Sequence, residues 1–262
     1  MSNVPRDGAR DKPFPTVRQD LPATAAFDWL RLGWADLRAC GKASLFYGLC
    51  FAAVGLMVIL AVRHAVQLLT AVTTGFMLVG PCLAMGLYEL SRRRENGEPP
   101  QLAPTLAVWR RNLAAIGIYS LILIVLYLLW ARASMVVFAL FYQGGMPTMA
   151  GFIAEILRFD NLEFMLAYLA IGAFFAALVF AFSVVSIPLM LDRQQDTVTA
   201  MLASFLALVR NVPAMLVWGG TIALLTLAGF ATGLLGLLVT MPLVGHATWH
   251  AYRALIVPDT GN

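Results

Sequence analysis

Charge is what this sequence has least of. Asp, Glu, Lys and Arg make up 12% of its 262 residues, while 60% are hydrophobic and the mean hydropathy is +0.79. A water-soluble domain carries about 25% charged residues. Half that number cannot cover a wet surface, so lipid must solvate much of the chain. Acidic side chains are also missing from the middle of every long apolar stretch. That counts against an ion-coupled transporter or pump, which places ionisable groups at depth although each costs at least ~2.5–3.5 kcal/mol there. The three cysteines (Cys40, Cys50, Cys82) show no CxxC or other metal-ligand spacing and no disulfide framework. No phosphate-cradling loop, nucleophile–base arrangement or catalytic carboxylate pair occurs, so a non-enzymatic protein is expected. The first 43 residues are polar, with Pro and Arg and no apolar core. A cleavable signal peptide is therefore not expected, and the first membrane helix must direct its own insertion.

What is present are apolar runs punctuated by charge. A membrane-crossing helix needs roughly 20 residues at about 1.5 Å each. The runs predict six spans, at about 43–62, 65–88, 112–130, 164–191, 213–229 and 232–252. No charge lies between Arg210 and Arg253; one helix of that length would be about twice the thickness of the bilayer core. The chain must fold back there, and Gly229-Phe230-Ala231-Thr232-Gly233 is the expected turn. With six spans, fifteen of the 18 Lys and Arg fall on one side, and only Arg63, Arg132 and Arg158 on the other. Basic residues stay cytoplasmic, so both termini are expected on the cytoplasmic side of a bacterial inner membrane. The net charge of +4 lies between apolar blocks, which argues for this topology and against nucleic-acid binding. Residues 1–24 read as a disordered tail, 25–256 as the membrane domain and 257–262 as a short cytoplasmic tail.

The spans suggest an internal repeat. Each odd-numbered span follows an amphipathic stretch: Phe27, Leu30, Trp34 and Leu37; a short helix started by Pro104 and carrying Leu106 and Trp109; and Val198, Met201, Leu202 and Phe205 behind Asp196 as N-cap. Two of these stretches end alike, in Arg111-Asn112-Leu113 and Arg210-Asn211-Val212. Each even-numbered span carries a proline, Pro81, Pro188 or Pro242, expected to kink it. The fold class expected is all-α, as three units of interfacial helix, outward span and kinked return span. The second unit holds an added outer segment, about 133–163, with Gly144-Gly145-Met146-Pro147, read as short helices on the outer surface.

Candidate chemistry is sparse. His246 and His250, at i and i+4, share one helix face at a spacing that could ligate a metal or contact haem or copper. The competing reading is an interfacial anchor built with Trp249, Tyr252 and Arg253. Arg92, Arg93 and Arg94 read as a topology signal that also suits anionic lipid headgroups. Glu89 is expected to pair with Arg92 or Arg93. Hydroxyls at depth, such as Ser120, Ser183 and Ser186, suit helix–helix bonding.

The run Pro242-Leu243-Val244-Gly245-His246-Ala247-Thr248-Trp249-His250-Ala251-Tyr252-Arg253, the Gly33-Trp34-Ala35-Asp36-Leu37 helix and the Gly80-Pro81 step resemble a proteobacterial integral membrane family. It is catalogued as domain of unknown function 2189, and some members carry a cytochrome c oxidase subunit label. The resemblance covers about 20–256 and implies six-span inner-membrane architecture. A catalytic oxidase subunit needs several intramembrane histidines, and this chain has three in all. Three functions stay open: an accessory, assembly or scaffold protein packed against other membrane proteins, such as a respiratory complex; a carrier or channel for a neutral or lipid-like solute; and haem or copper handling through His246 and His250.

Overall fold

The computed structural model describes residues 14–64, 69–141 and 161–258. Within them the chain is helical throughout, apart from one isolated antiparallel bridge between Val17 and Ile256. The helices are α1 (Ala25–His64), α2 (Leu69–Glu95), α3 (Leu102–Thr105), a 3-10 turn (Val108–Asn112), α4 (Leu113–Phe141), α5 (Leu162–Ser183), α6 (Ser186–Asp192), α7 (Thr197–Arg210), α8 (Val212–Ala231) and α9 (Leu237–Leu255). Among the described residues, four stretches are long and apolar enough to cross a membrane: Ala25–Ala61, Leu102–Phe141, Leu162–Asp192 and Val212–Ala231. Helices α2 and α9 have 27 and 19 residues, but both end in polar and charged side chains, and α9 carries both histidines of the His246/His250 pair.

Breaks in these helices have local causes. Helix α1 bends at Gly41, where φ is 21°, a backbone region that only glycine enters freely. This divides an amphipathic first half from the apolar second half, as the charge pattern predicts. Pro81 and Pro242 lie inside continuous helices, whereas α5 and α6 are separated at Val184 and Val185. That separation lies four residues before Pro188, where a proline ring meets the preceding turn's carbonyl. The predicted turn between α8 and α9 lies further along than expected. Thr232 caps α8, Gly233 and Leu234 take φ of 65° and 74°, and α9 begins only at Leu237.

Other boundaries also differ. Helix α4 runs on through Arg132 to Phe141, because the residues after Arg132 are again apolar and one arginine can extend its charge away from lipid. The outer segment therefore contains a helical continuation at 133–141, and its Gly144, Gly145, Met146 and Pro147 lie outside the described residues. The short helix expected to start at Pro104 starts at Leu102, and proline occupies its first turn, where the missing N–H costs nothing. Residues 14–24, expected in the N-terminal tail, are held against the bundle. Arg18 N donates to Leu255 O at 2.8 Å, Val257 N donates to Thr16 O at 2.9 Å, and Val17 is buried.

Side-chain size is sorted by lipid rather than by water. Helix α7 buries Ala200, Ala203, Ser204 and Ala207 while exposing Val198, Leu202 and Phe205. Helix α1 likewise buries Ala26 and Ala43 but exposes Phe27 and Trp34, although Trp29 turns inward against Trp218. Small residues let backbones approach, and large apolar ones face a solvent as apolar as themselves. The longest packed pair, α1 against α9, follows the same rule: a Cβ on Gly33 would sit 2.6 Å from the Ala247 nitrogen, and one on Gly48 would overlap the backbone of Leu238.

Three buried sets recur with one spacing. Cys40, Ala43 and Tyr47, then Asn112, Ala115 and Tyr119, then Asn211, Ala214 and Trp218 each fall at i, i+3 and i+7. All three alanines and all three aromatics are buried.

Candidate functional site

Two features of the bundle carry polar chemistry, a charged layer at one end and an apolar cavity beside it. The charged layer is organised by α9, whose residues His246, Trp249, His250 and Arg253 share a face at helical spacing. His246 is fully buried. Its Nε2 lies 2.8 Å from Ser44 Oγ on α1, and its Nδ1 lies 2.7 Å from Ser91 Oγ on α2. A neutral imidazole offers one donor and one acceptor, which two hydroxyls match, so both ring nitrogens are committed. His250 turns instead to Asp36, with Nε2 2.9 Å from Oδ2, and Asp36 also takes Arg94. The two histidines are therefore neighbours in one network but have separate partners. Among the described residues, no group of three or more His, Cys, Asp or Glu could hold a metal ion.

The rest of this layer is paired in the same way. Glu89 accepts from Arg92 at 2.7 and 2.8 Å, with Arg111 3.7 Å away. Arg93 meets Glu98 at 2.9 Å, so each member of the arginine cluster has its own carboxylate. Trp249 Nε1 donates to Glu95 at 3.0 Å and Tyr252 donates to Asp192 at 2.7 Å, while Arg253 reaches both carboxylates, at 2.9 and 3.8 Å. Trp249 and Tyr252 are each 1% exposed. Their rings thus lie inside the bundle rather than toward headgroups, because Glu95 and Asp192 offer acceptors there.

Sequence reading missed these carboxylate and serine partners, Asp36, Ser44, Ser91, Glu95 and Asp192, because each is distant in sequence from the α9 residue it meets. One signal for Asp36 existed. It shares the Ala26, Trp29, Gly33 face of α1, opposite Asp28 and Arg31, so an acid on that face needs a buried partner.

The cavity lies between α2, α4, α5, α6, α8 and α9, with a volume of about 640 Å³. It follows the α5–α6 rod from Gly172 to Ile187, about 22 Å of helix. No charged side chain lines it among the described residues; the polar groups are Tyr88, Tyr127, Trp130, Ser183 and Thr248. Three of these cluster toward the charged layer. Tyr88 lies one residue before Glu89 and lines the cavity with Thr248, whose own proton goes to Val244 O at 2.7 Å. Ser183 Oγ accepts from Tyr119 at 2.6 Å. Sequence reading singled out Ser183 as a polar group at depth, but nothing in a linear pattern showed that six helices leave a void there.

Residues 68–192 match the family model described as Predicted integral membrane protein (DUF2189). The match holds the Gly80–Pro81 step, Tyr88, the arginine cluster and both halves of the α5–α6 rod. It spans slightly under half the chain and contains neither the Gly33–Leu37 helix nor the Pro242–Arg253 run, so the resemblance rests on the middle of the sequence. No curated protein and no solved structure matches the chain.

Proposed function

We propose that this integral membrane protein crosses a bacterial inner membrane six times, with both termini cytoplasmic, and holds a neutral, largely apolar molecule in its intramembrane cavity. The cavity is the observation that carries this reading. Ligand sites are typically concave, mostly apolar and about 300–1,000 Å³, with a few placed polar groups, and 640 Å³ with an uncharged lining fits that description. The six-span topology is supported by the Lys/Arg distribution and by the charge pairs that tie the ends of α2, α6 and α9 into one layer. The threefold repeat is supported by the shared spacing of Tyr47, Tyr119 and Trp218, and proline kinking by the break upstream of Pro188.

A carrier or holder is favoured over an enzyme because the Ser44–His246–Ser91 chain does not line the cavity and is buried throughout. An accessory role beside other membrane proteins is the second reading, and the outward apolar faces of α4 and α8 favour it.

Native mass spectrometry of the protein, extracted from its own membranes in mild detergent, tests the proposal. One small lipid-like molecule per chain is expected, lost when Gly172→Phe fills the cavity. A chain that carries no such molecule but retains a stoichiometric protein partner would overturn it in favour of the accessory role.

A further inference from the structure

The cavity also defines what kind of polar end its guest carries, an inference that rests on the reading above. At the end near the charged layer, the hydroxyls are arranged as donors. Ser183 Oγ already accepts from Tyr119 at 2.6 Å, so its own proton is free to be given. Thr248 has spent its proton on Val244 O, which leaves its oxygen as an acceptor. Tyr88 is 7% exposed, lines the cavity, and carries an O–H that can be given to an incoming acceptor. Two hydroxyl donors thus line the same cavity.

Charge decides the rest. Arg92, Arg93, Arg94 and Arg111 stand just beyond this end, but Glu89, Glu98 and Asp36 hold them, and none of them lines the cavity. An anionic head here would be desolvated without a cation, which is costly in an apolar medium. A pure hydrocarbon would offer no acceptor to the Tyr88 and Ser183 protons, which is also unfavourable. The rod of helix beside the void, about 22 Å, matches an extended chain rather than a compact ring system.

We infer that the guest is an uncharged long-chain lipid whose polar end presents a carbonyl or hydroxyl oxygen to Tyr88 and Ser183. The apolar walls made by residues such as Leu123, Phe175, Val179 and Ile222 take the chain, and the two hydroxyls fix its depth. This orientation places the head toward the cytoplasmic side of the proposed topology.

The test uses the full chain in mild detergent with two probes that share their acyl chains, dioleoylglycerol and dioleoyl phosphatidic acid, titrated by native mass spectrometry. Dioleoylglycerol is expected to bind at least tenfold more tightly. Tyr88→Phe, which keeps the ring and its packing, is expected to weaken dioleoylglycerol about fivefold to tenfold, the effect of one hydrogen bond, and to leave phosphatidic acid unchanged. Ser183→Ala should act in the same direction. Equal binding of the two lipids, or an unchanged dioleoylglycerol affinity in both variants, would overturn the inference while Gly172→Phe still abolished binding. If Gly172→Phe binds both probes like the unmodified chain, the cavity itself is not the site and both readings fall. Thermal unfolding of each variant in the same detergent confirms that a loss of binding is not a loss of fold.

Discussion

His246 shows how much one side chain can organise inside a membrane bundle. It joins α1, α2 and α9 through two hydrogen bonds made where no water competes, and each bond leaves an orphan hydroxyl if the ring is removed. Leaving a buried polar group unsatisfied costs about 1–3 kcal/mol. His246→Leu is therefore expected to lower stability by about 2–4 kcal/mol, read as a fall in melting temperature in mild detergent. His246→Gln, which can both donate and accept, should recover part of that loss. Asp196 is a simpler case at the exposed N-terminus of α7. Its carboxylate accepts from Thr199 N–H at 3.0 Å, and that bond holds its pKa below the usual 3.8. A depressed carboxylate stabilises the fold above its unfolded pKa and stops doing so as pH falls through the lower folded value. The cap is thus complete at neutral pH and fades only below about pH 4. Asp196→Ala should cost about 1 kcal/mol at pH 7, with the difference from the unmodified chain shrinking at strongly acidic pH.

Helices here are held together mainly by close approach and by side-chain clasps at their ends. Gly48 lies where α1 touches the backbone of α9, so Gly48→Val must push the pair apart. Overpacking costs about 1–3 kcal/mol, and a lower melting temperature should report it. A change at Gly117, whose Cβ would meet nothing within 4 Å, should be nearly neutral. The two asparagines that precede α4 and α8 act as clasps. Asn112 donates to Met190 O and Gln195 O at 3.2 and 2.9 Å. Asn211 donates to Arg18 O at 2.9 Å and accepts from Leu21 N at 3.0 Å. Each grips the segment that leads into another interfacial helix, α7 in one case and α1 in the other. The shared Arg-Asn ending thus has a structural reason that a sequence pattern alone does not supply. Asn211→Ala should release residues 14–24, and trypsin should then cleave after Arg18 at least tenfold faster, with the membrane core intact.

For the molecule as a whole, the six-span proposal predicts which loops are reachable from each side. Single cysteines in a chain first freed of Cys40, Cys50 and Cys82 serve as reporters. A cysteine at Leu235, in the turn between α8 and α9, is expected to react with an impermeant maleimide on intact cells. One at Glu98, beyond the arginine cluster, should react only after the membrane is opened. The reverse pattern would sink the orientation, and with it the direction in which the guest's head points.

Charge spacing was enough to mark the long apolar helices, the reversal between Arg210 and Arg253 and the outward apolar faces of the amphipathic helices. These depend on how each short segment partitions between water and lipid, which is a local property. The chain alone did not reveal that His246 and His250 take separate partners, that Trp249 and Tyr252 turn inward, that α4 runs past Arg132, or that helices from all parts of the sequence leave a void beside Tyr88 and Ser183. Partners such as Ser44 and His246 are about 200 residues apart. Only packing decides which of many chemically equivalent hydroxyls and carboxylates come within hydrogen-bond reach, because lipid rewards any apolar surface equally and leaves that choice to shape.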